Sequence, residues 1–160
     1  MIKKIIKENI PECVEVIRSS FFSVANEFGF TEENAPRFTA FATTNERLIW
    51  QLEEGRLMFA YLNDDEKILG YYSLQLQGNR ECELNNLCVL SEYRHKNIGK
   101  ELMEHAFSYA KQLGCKQMNI GIVEENVKLK QWYIQYGAEH LRTEKYDFFP
   151  FTCGYMKKTL

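Results

Sequence analysis

Residues 81 to 123 constrain the fold more than any other part of the chain. CELNNLCVL reads as a strand, and SEYRHKNIG reads as a basic loop ending in glycine. From Ile98 onward Leu102, Met103, Ala106, Phe107 and Ala110 recur on one helical face until Gly114 breaks the pattern, and KQMNIGIV then reads as a buried strand. A strand, a helix and a strand in sequence close as a right-handed crossover with the two strands parallel.

The rest of the chain must build on that unit. IKKII reads as a short first strand. Pro11 opens a helix over PECVEVIRSSFFSVANEF, where Val14, Ile17, Phe21 and Val24 recur every three or four residues before Gly29. Thr43 or Thr44 caps a second helix over NERLIWQLEE, stopped by Gly55, while TEENAPRFTAFA between the helices carries no single pattern. RLMFAYL and KILGYYSLQL flank the turn NDDE as an antiparallel hairpin, and CELNNLCVL follows across GNRE as its third strand. A short helix over ENVKLKQWYIQYG leads to two last β runs, EHLRTEKYDFF and TCGYMKKTL.

The order β-α-α-β-β-β-α-β-α-β-β predicts an α/β (α+β) fold: a mixed, mostly antiparallel sheet with one central parallel pair and helices on its faces. Residues 1–160 fit one domain, since no linker, repeat or low-complexity tract divides them.

Charge and cysteine usage narrow the partners. The 20 Lys and Arg nearly balance the 22 Asp and Glu, so no global field draws the chain to nucleic acid or an anionic membrane. The five cysteines are scattered, with no Cys-x-x-Cys pair, which argues against a disulfide framework or a zinc site and for a reducing cytoplasm. His95, His105 and His140 are too dispersed to suggest a metal centre. No apolar stretch approaches the roughly 20 residues of a membrane span.

Any anion site must therefore be local, and the loop before the third long helix offers one. Backbone N–H groups in the first turn of a helix lack internal partners, and the helix dipole adds about half a positive charge there. Arg94, His95 and Lys96 add side-chain charge at that junction, and Gly99 leaves room for close approach. Any surface loop can carry three basic residues and a glycine; the flanking strand and helix set this one apart.

Arg94-His95-Lys96-Asn97-Ile98-Gly99 closely resembles motif A of the GNAT superfamily of N-acetyltransferases, a Gln/Arg-x-x-Gly-x-Gly/Ala loop. The resemblance implies that Leu87, Cys88, Val89, Arg94, His95, Lys96, Asn97, Ile98, Gly99 and Lys100 hold acetyl-coenzyme A, with the loop on its pyrophosphate. Asn97 departs from the usual glycine, but asparagine tolerates a left-handed backbone at a cost of about 1 kcal/mol. NVKLKQWYIQYGA is similar to the family's motif B, with Asn126 and Tyr133 at matching positions, which implies that both also contact the cofactor, and Ala138 in place of an aromatic. The two motifs cover about residues 56–147 well, and the N-terminal helices match by topology only.

The resemblance also implies roles. Acetyl transfer needs a neutral amine, whose pKa is otherwise about 10. Glu83, at the start of the strand before the loop, falls where many members keep a proton-accepting glutamate, although a glutamate near a strand end is commonly just solvated. Tyr133 matches the general acid for the departing thiolate and is also a cofactor contact; simple packing is its alternative. A backbone N–H within Leu87–Val89 serves the developing oxyanion. Cys88 reads as a buried cysteine, since direct transfer needs no nucleophile.

The expected activity is transfer of acetyl from acetyl-coenzyme A, without a metal, to a primary amine of a small molecule or peptide. A non-catalytic acyl-coenzyme A sensor or interaction domain is the alternative, and retention of both Glu83 and Tyr133 weighs against it. A nucleotide-binding domain ranks far behind, for want of a Gly-x-x-x-x-Gly-Lys-Ser/Thr or early Gly-x-Gly-x-x-Gly motif. The resemblance leaves small amines, amino acids, polyamines and protein N-termini open as acceptors, and a homodimer open beside a monomer.

Overall fold

In a computed structural model that describes residues 1–160, seven strands form: β1 (Ile2–Lys4), β2 (Leu57–Leu62), β3 (Ile68–Gly78), β4 (Glu81–Val89), β5 (Gln117–Val123), β6 (Glu139–Lys145) and β7 (Thr152–Thr159). Five helices connect them: α1 (Ile10–Phe28), α2 (Thr39–Ala42), α3 (Asn45–Glu53), α4 (Ile98–Gln112) and α5 (Val127–Gln135). The strands make one sheet in the order β1-β2-β3-β4-β5-β7-β6, antiparallel except for the β4/β5 pair. This is the expected mixed sheet, with the crossover through α4 supplying its parallel pair.

Local signals set the helix ends. Gly29 caps α1 in the left-handed region at φ 74°. The Thr44 side chain accepts the Arg47 N–H at 3.1 Å, which starts α3. The stretch between α1 and α3, patternless in sequence, is mostly turns with the single helical turn α2. Its aromatics fold onto a second, smaller core, where Phe30 packs on Phe38 and Phe151 with ring centroids 5.1 and 4.8 Å apart. The late run expected as a strand through Phe149 therefore ends at Lys145, because Phe149 and Phe151 turn back into that core.

Alternation along β3 divides the main core between two faces. Tyr72 faces α4, its hydroxyl 2.7 Å from His105 Nδ1. Gly70 shares that face, where a Cβ would lie 2.8 Å from Leu102 Cδ1 and 2.9 Å from the Cys88 carbonyl; the close approach of α4 depends on that missing carbon. Tyr71 lies on the other face with Cys13 of α1. Both tyrosines are fully buried.

One irregularity in β4 matters for everything that follows. Tyr71 pairs with Cys88 and Ser73 with Asn85, so two residues of β4 oppose the single residue Tyr72. Asn86, within this bulge, has φ 55°. The extra residue reverses the facing of the strand: Cys82 lies beside Cys115 on the α4 side, whereas Cys88 lies beside Ser20 on the α1 side.

Candidate active site

β4 and β5 pair only from Glu81/Gln117 to Leu84/Ile120. β5 continues against β7 as far as Val123, while β4 continues against β3 as far as Val89. Beyond Ile120 the two parallel strands have thus lost each other, and a wedge opens between them.

The register identifies what faces that wedge. The Leu90 N–H bonds to the Leu69 carbonyl, so in the antiparallel alternation Val89, paired with Gly70, turns its own N–H and C=O away from β3. The carbonyl is taken by Arg94 Nε at 3.0 Å. The Val89 N–H points into the wedge, where β5 no longer offers an acceptor.

Past Val89 a single 3-10 turn, Ser91–Tyr93, leads into the basic loop. The loop turns through two left-handed residues, His95 at φ 63° and Asn97 at φ 68°, ψ 2°. Asn97 therefore adopts the conformation expected of the residue standing in for glycine. The first backbone bond of α4 is from Glu101 N–H to the Asn97 carbonyl, and the N–H groups of residues 95–100 find no acceptor within the chain. Fixed N–H groups at the positive end of a 15-residue helix form a site for an anion.

The side chains of the loop divide into those that face outward and those that do not. His95, Lys96 and Asn97 are exposed, with Lys96 Nζ 5.4 Å from the centre of the Tyr93 ring. Lys100 is exposed beside Glu104 at 3.9 Å. Ile98 is buried. Arg94, expected to face the anion, runs back beneath the loop instead: besides its bond to Val89, a terminal nitrogen donates to the Ser20 carbonyl of α1 at 3.0 Å. A Cβ at Gly99 would meet Trp132 and Val89 at 3.7 Å, an ordinary contact, so the space there is closed by an indole.

α5 brings Tyr133 to the wedge. Asn126 caps this helix, its side chain accepting the Leu129 N–H at 3.3 Å. Tyr133 is the buried residue of α5 and lies beside the Cys88 thiol. Burial raises the Tyr133 phenol above the usual tyrosine value, and Cys88 adds to this. The group stays protonated, as a donor must. Burial likewise pushes the Cys88 thiol up to about 12, so it is no thiolate nucleophile. Leu87 is half-buried in the same stretch of β4.

Glu83 sits apart from these groups. Before the bulge it shares its face with Glu81, where Gln77 Nε2 donates to the Glu83 carboxylate at 2.9 Å. Gln117 and Asn119 donate to Glu81 at 2.9 and 3.2 Å, which completes a polar lane across the sheet. From Glu83 to Val89 is six residues, roughly 20 Å of extended strand at about 3.3 Å per residue, so any proton exchange between them runs through intervening water.

Sequence reasoning missed the bulge, the partnership of Arg94 with Ser20, and Trp132 as the cover of Gly99. Only the first left a signal, in the Asn85-Asn86 pair that interrupts the apolar alternation of β4. Missed as well was Glu124, just beyond β5, which accepts from Lys130 at 2.7 Å and lies 2.8 Å from His140 Nε2.

Comparison with known proteins bears on the family and the fold. A sequence model described as the Acetyltransferase (GNAT) family matches residues 19–138. An uncharacterized N-acetyltransferase in the pepI 3′ region of Lactobacillus delbrueckii subsp. lactis is 23% identical over 155 residues, covering 88% of this chain and 87% of that one. The fold is similar to PaiA N-acetyltransferase from Thermoplasma acidophilum in complex with coenzyme A, with TM-score 0.85, 22% identity, and coverage of 100% and 98%. It is also similar to the ribosomal-protein-S18-alanine N-acetyltransferase of Escherichia coli, with TM-score 0.76, 15% identity, and coverage of 99% and 92%.

Proposed function

We propose that this chain, which belongs to the acetyltransferase (GNAT) family, carries acetyl from acetyl-coenzyme A directly to a primary amine of a small molecule or peptide. The observation that carries the reading is the run of acceptorless N–H groups at 95–100, set at the mouth of the wedge where the Val89 N–H is also free. The first feature suits a diphosphate and the second an extended arm lying against β4.

Acetyl-coenzyme A supplies an acetyl group activated as a thioester. The loop N–H groups hold its diphosphate, and the Val89 N–H donates to the carbonyl oxygen as negative charge develops there. Glu83 accepts the amine proton through water, which leaves a neutral nucleophile. As the C–N bond replaces the C–S bond, the Tyr133 hydroxyl, kept protonated by burial, gives its proton to the departing sulfur, and the proton that the attacking nitrogen sheds restores the phenol through water. The groups act from three parts of the fold, the loop into α4, strand β4 and α5, and the bulge in β4 lets one strand present Glu83 and Val89 in different directions.

The test is release of free thiol from acetyl-coenzyme A across a panel of amines that includes amino acids, polyamines and peptides with free N-termini. Acetylation of any of them supports the proposal. A protein that binds acetyl-coenzyme A but turns over no amine is a sensor instead.

A further inference from the structure

Two of the three guanidinium nitrogens of Arg94 are spent inside the protein. Nε donates to the Val89 carbonyl and Nη2 to the Ser20 carbonyl, both at 3.0 Å and both in partly buried surroundings. These acceptors lie on different elements, the end of β4 and the middle of α1, and the thiol of Cys88, the residue before Val89, is also beside Arg94. Meanwhile the backbone leaves Arg94 in an extended conformation, φ −71° and ψ 161°, and turns left-handed at His95, so side chain and loop part company.

That arrangement suits a brace better than an anion ligand. The planar fork of arginine fixes two carbonyls at once, which a single ammonium on a flexible stem does not reproduce. The Val89 carbonyl and N–H lie on the same edge of the strand, so holding the one orients the other. We propose that Arg94 is a positioning residue, whose bonds to the Val89 and Ser20 carbonyls aim the Val89 N–H at the thioester carbonyl, and that it is not a ligand of the diphosphate. This rests on the acyl-transfer reading above. It extends that reading by making α1 part of the frame that holds the oxyanion donor.

Coenzyme A and acetyl-coenzyme A share the diphosphate and differ in the carbonyl that Val89 serves, so their relative affinities separate the two roles without turnover. Calorimetry on the intact protein is expected to show a preference for acetyl-coenzyme A of about threefold or more, the worth of one hydrogen bond. Arg94→Lys and Arg94→Ala should lose that preference, yet bind coenzyme A with the affinity and salt dependence of the parent. With an accepted amine, kcat should fall about tenfold in both variants while KM for acetyl-coenzyme A changes little.

The proposal is overturned if Arg94→Ala weakens coenzyme A itself and flattens its salt dependence while Arg94→Lys restores both, since a diphosphate needs only the charge. It is equally overturned if the parent does not distinguish the two ligands. Should Arg94→Ala fail to fold, Arg94→Lys decides alone. A parent that prefers acetyl-coenzyme A but acetylates no amine defeats the catalytic reading and leaves the Arg94 result to be read on its own terms.

Discussion

The phenol of Tyr133 on α5 and the thiol of Cys88 on β4 lie beside one another at the wedge, both neutral, with burial the first cause in each case. A tyrosine that burial keeps protonated can donate across the whole physiological range. Tyr133→Phe keeps the ring and deletes the donor, so kcat should fall by about 10²–10⁴-fold with coenzyme A affinity little changed. In the parent, kcat should show no alkaline loss below about pH 10, the ordinary tyrosine value, because the folded-state pKa lies above it. Steady-state rates across pH for both proteins check this; an alkaline fall near neutrality would assign the acid elsewhere.

Asn97, at φ 68° and ψ 2°, occupies a region that glycine enters freely. Asn97→Gly should preserve cofactor affinity and change stability by less than about 1 kcal/mol, while Asn97→Ala should destabilise by about 1 kcal/mol. Denaturant unfolding and coenzyme A titration measure both. A large affinity loss in the glycine variant would mean that the amide side chain itself touches the ligand.

Glu83 is expected to serve the amine only where the amine is protonated. Glu83→Gln should cut kcat/KM by about 10²-fold near neutral pH, with the deficit shrinking as pH rises toward about 10 and the free amine becomes abundant. The pH profile of the variant against the parent is the measurement, and a deficit that stays constant with pH would make Glu83 a structural member of the polar lane.

Glu124 is tied into the fold by its pairing with Lys130 and His140. Partial burial alone would raise its carboxyl pKa, but the hydrogen bonds from Lys130 and His140 outweigh that and hold it below the usual range. A depressed carboxyl contributes stability that is present above its unfolded value and is lost as pH falls through the folded one. Glu124→Gln should therefore cost about 1 kcal/mol at pH 7, and the difference should vanish only at a pH below the depressed folded value, itself under the unfolded carboxyl's about 4.3. Thermal unfolding of parent and variant at both pH values decides it, and an equal cost at both would remove the charge from the explanation.

Periodicity made the order of strands and helices legible, because each long element buries one stripe: Leu102, Met103, Ala106 and Ala110 are all buried, as the spacing predicts. The crossover through α4 then forced the parallel pair. Asn97 was legible for a different reason, since few residues tolerate its backbone. Features that depend on distant partners were not. Nothing in the sequence ties Arg94 to Ser20, and the packing of Phe30 on Phe151 joins segments too far apart for a local pattern to show. The bulge at Asn86 hid because a strand with one extra residue still reads as a strand.

The short pairing of β4 with β5 has a mechanical consequence. Along the hydrogen-bonded direction, strands β1–β4 and strands β5–β7 are stitched together only between residues 80–84 and 116–120. The molecule is in that sense two half-sheets riveted near one end, like the blades of a pair of shears. An extended ligand laid in the gap takes up hydrogen bonds that a neighbouring strand would otherwise fill. On the proposed reading it would become a length of borrowed backbone, and its arrival would stiffen both blades at the place where its own bond is to be broken.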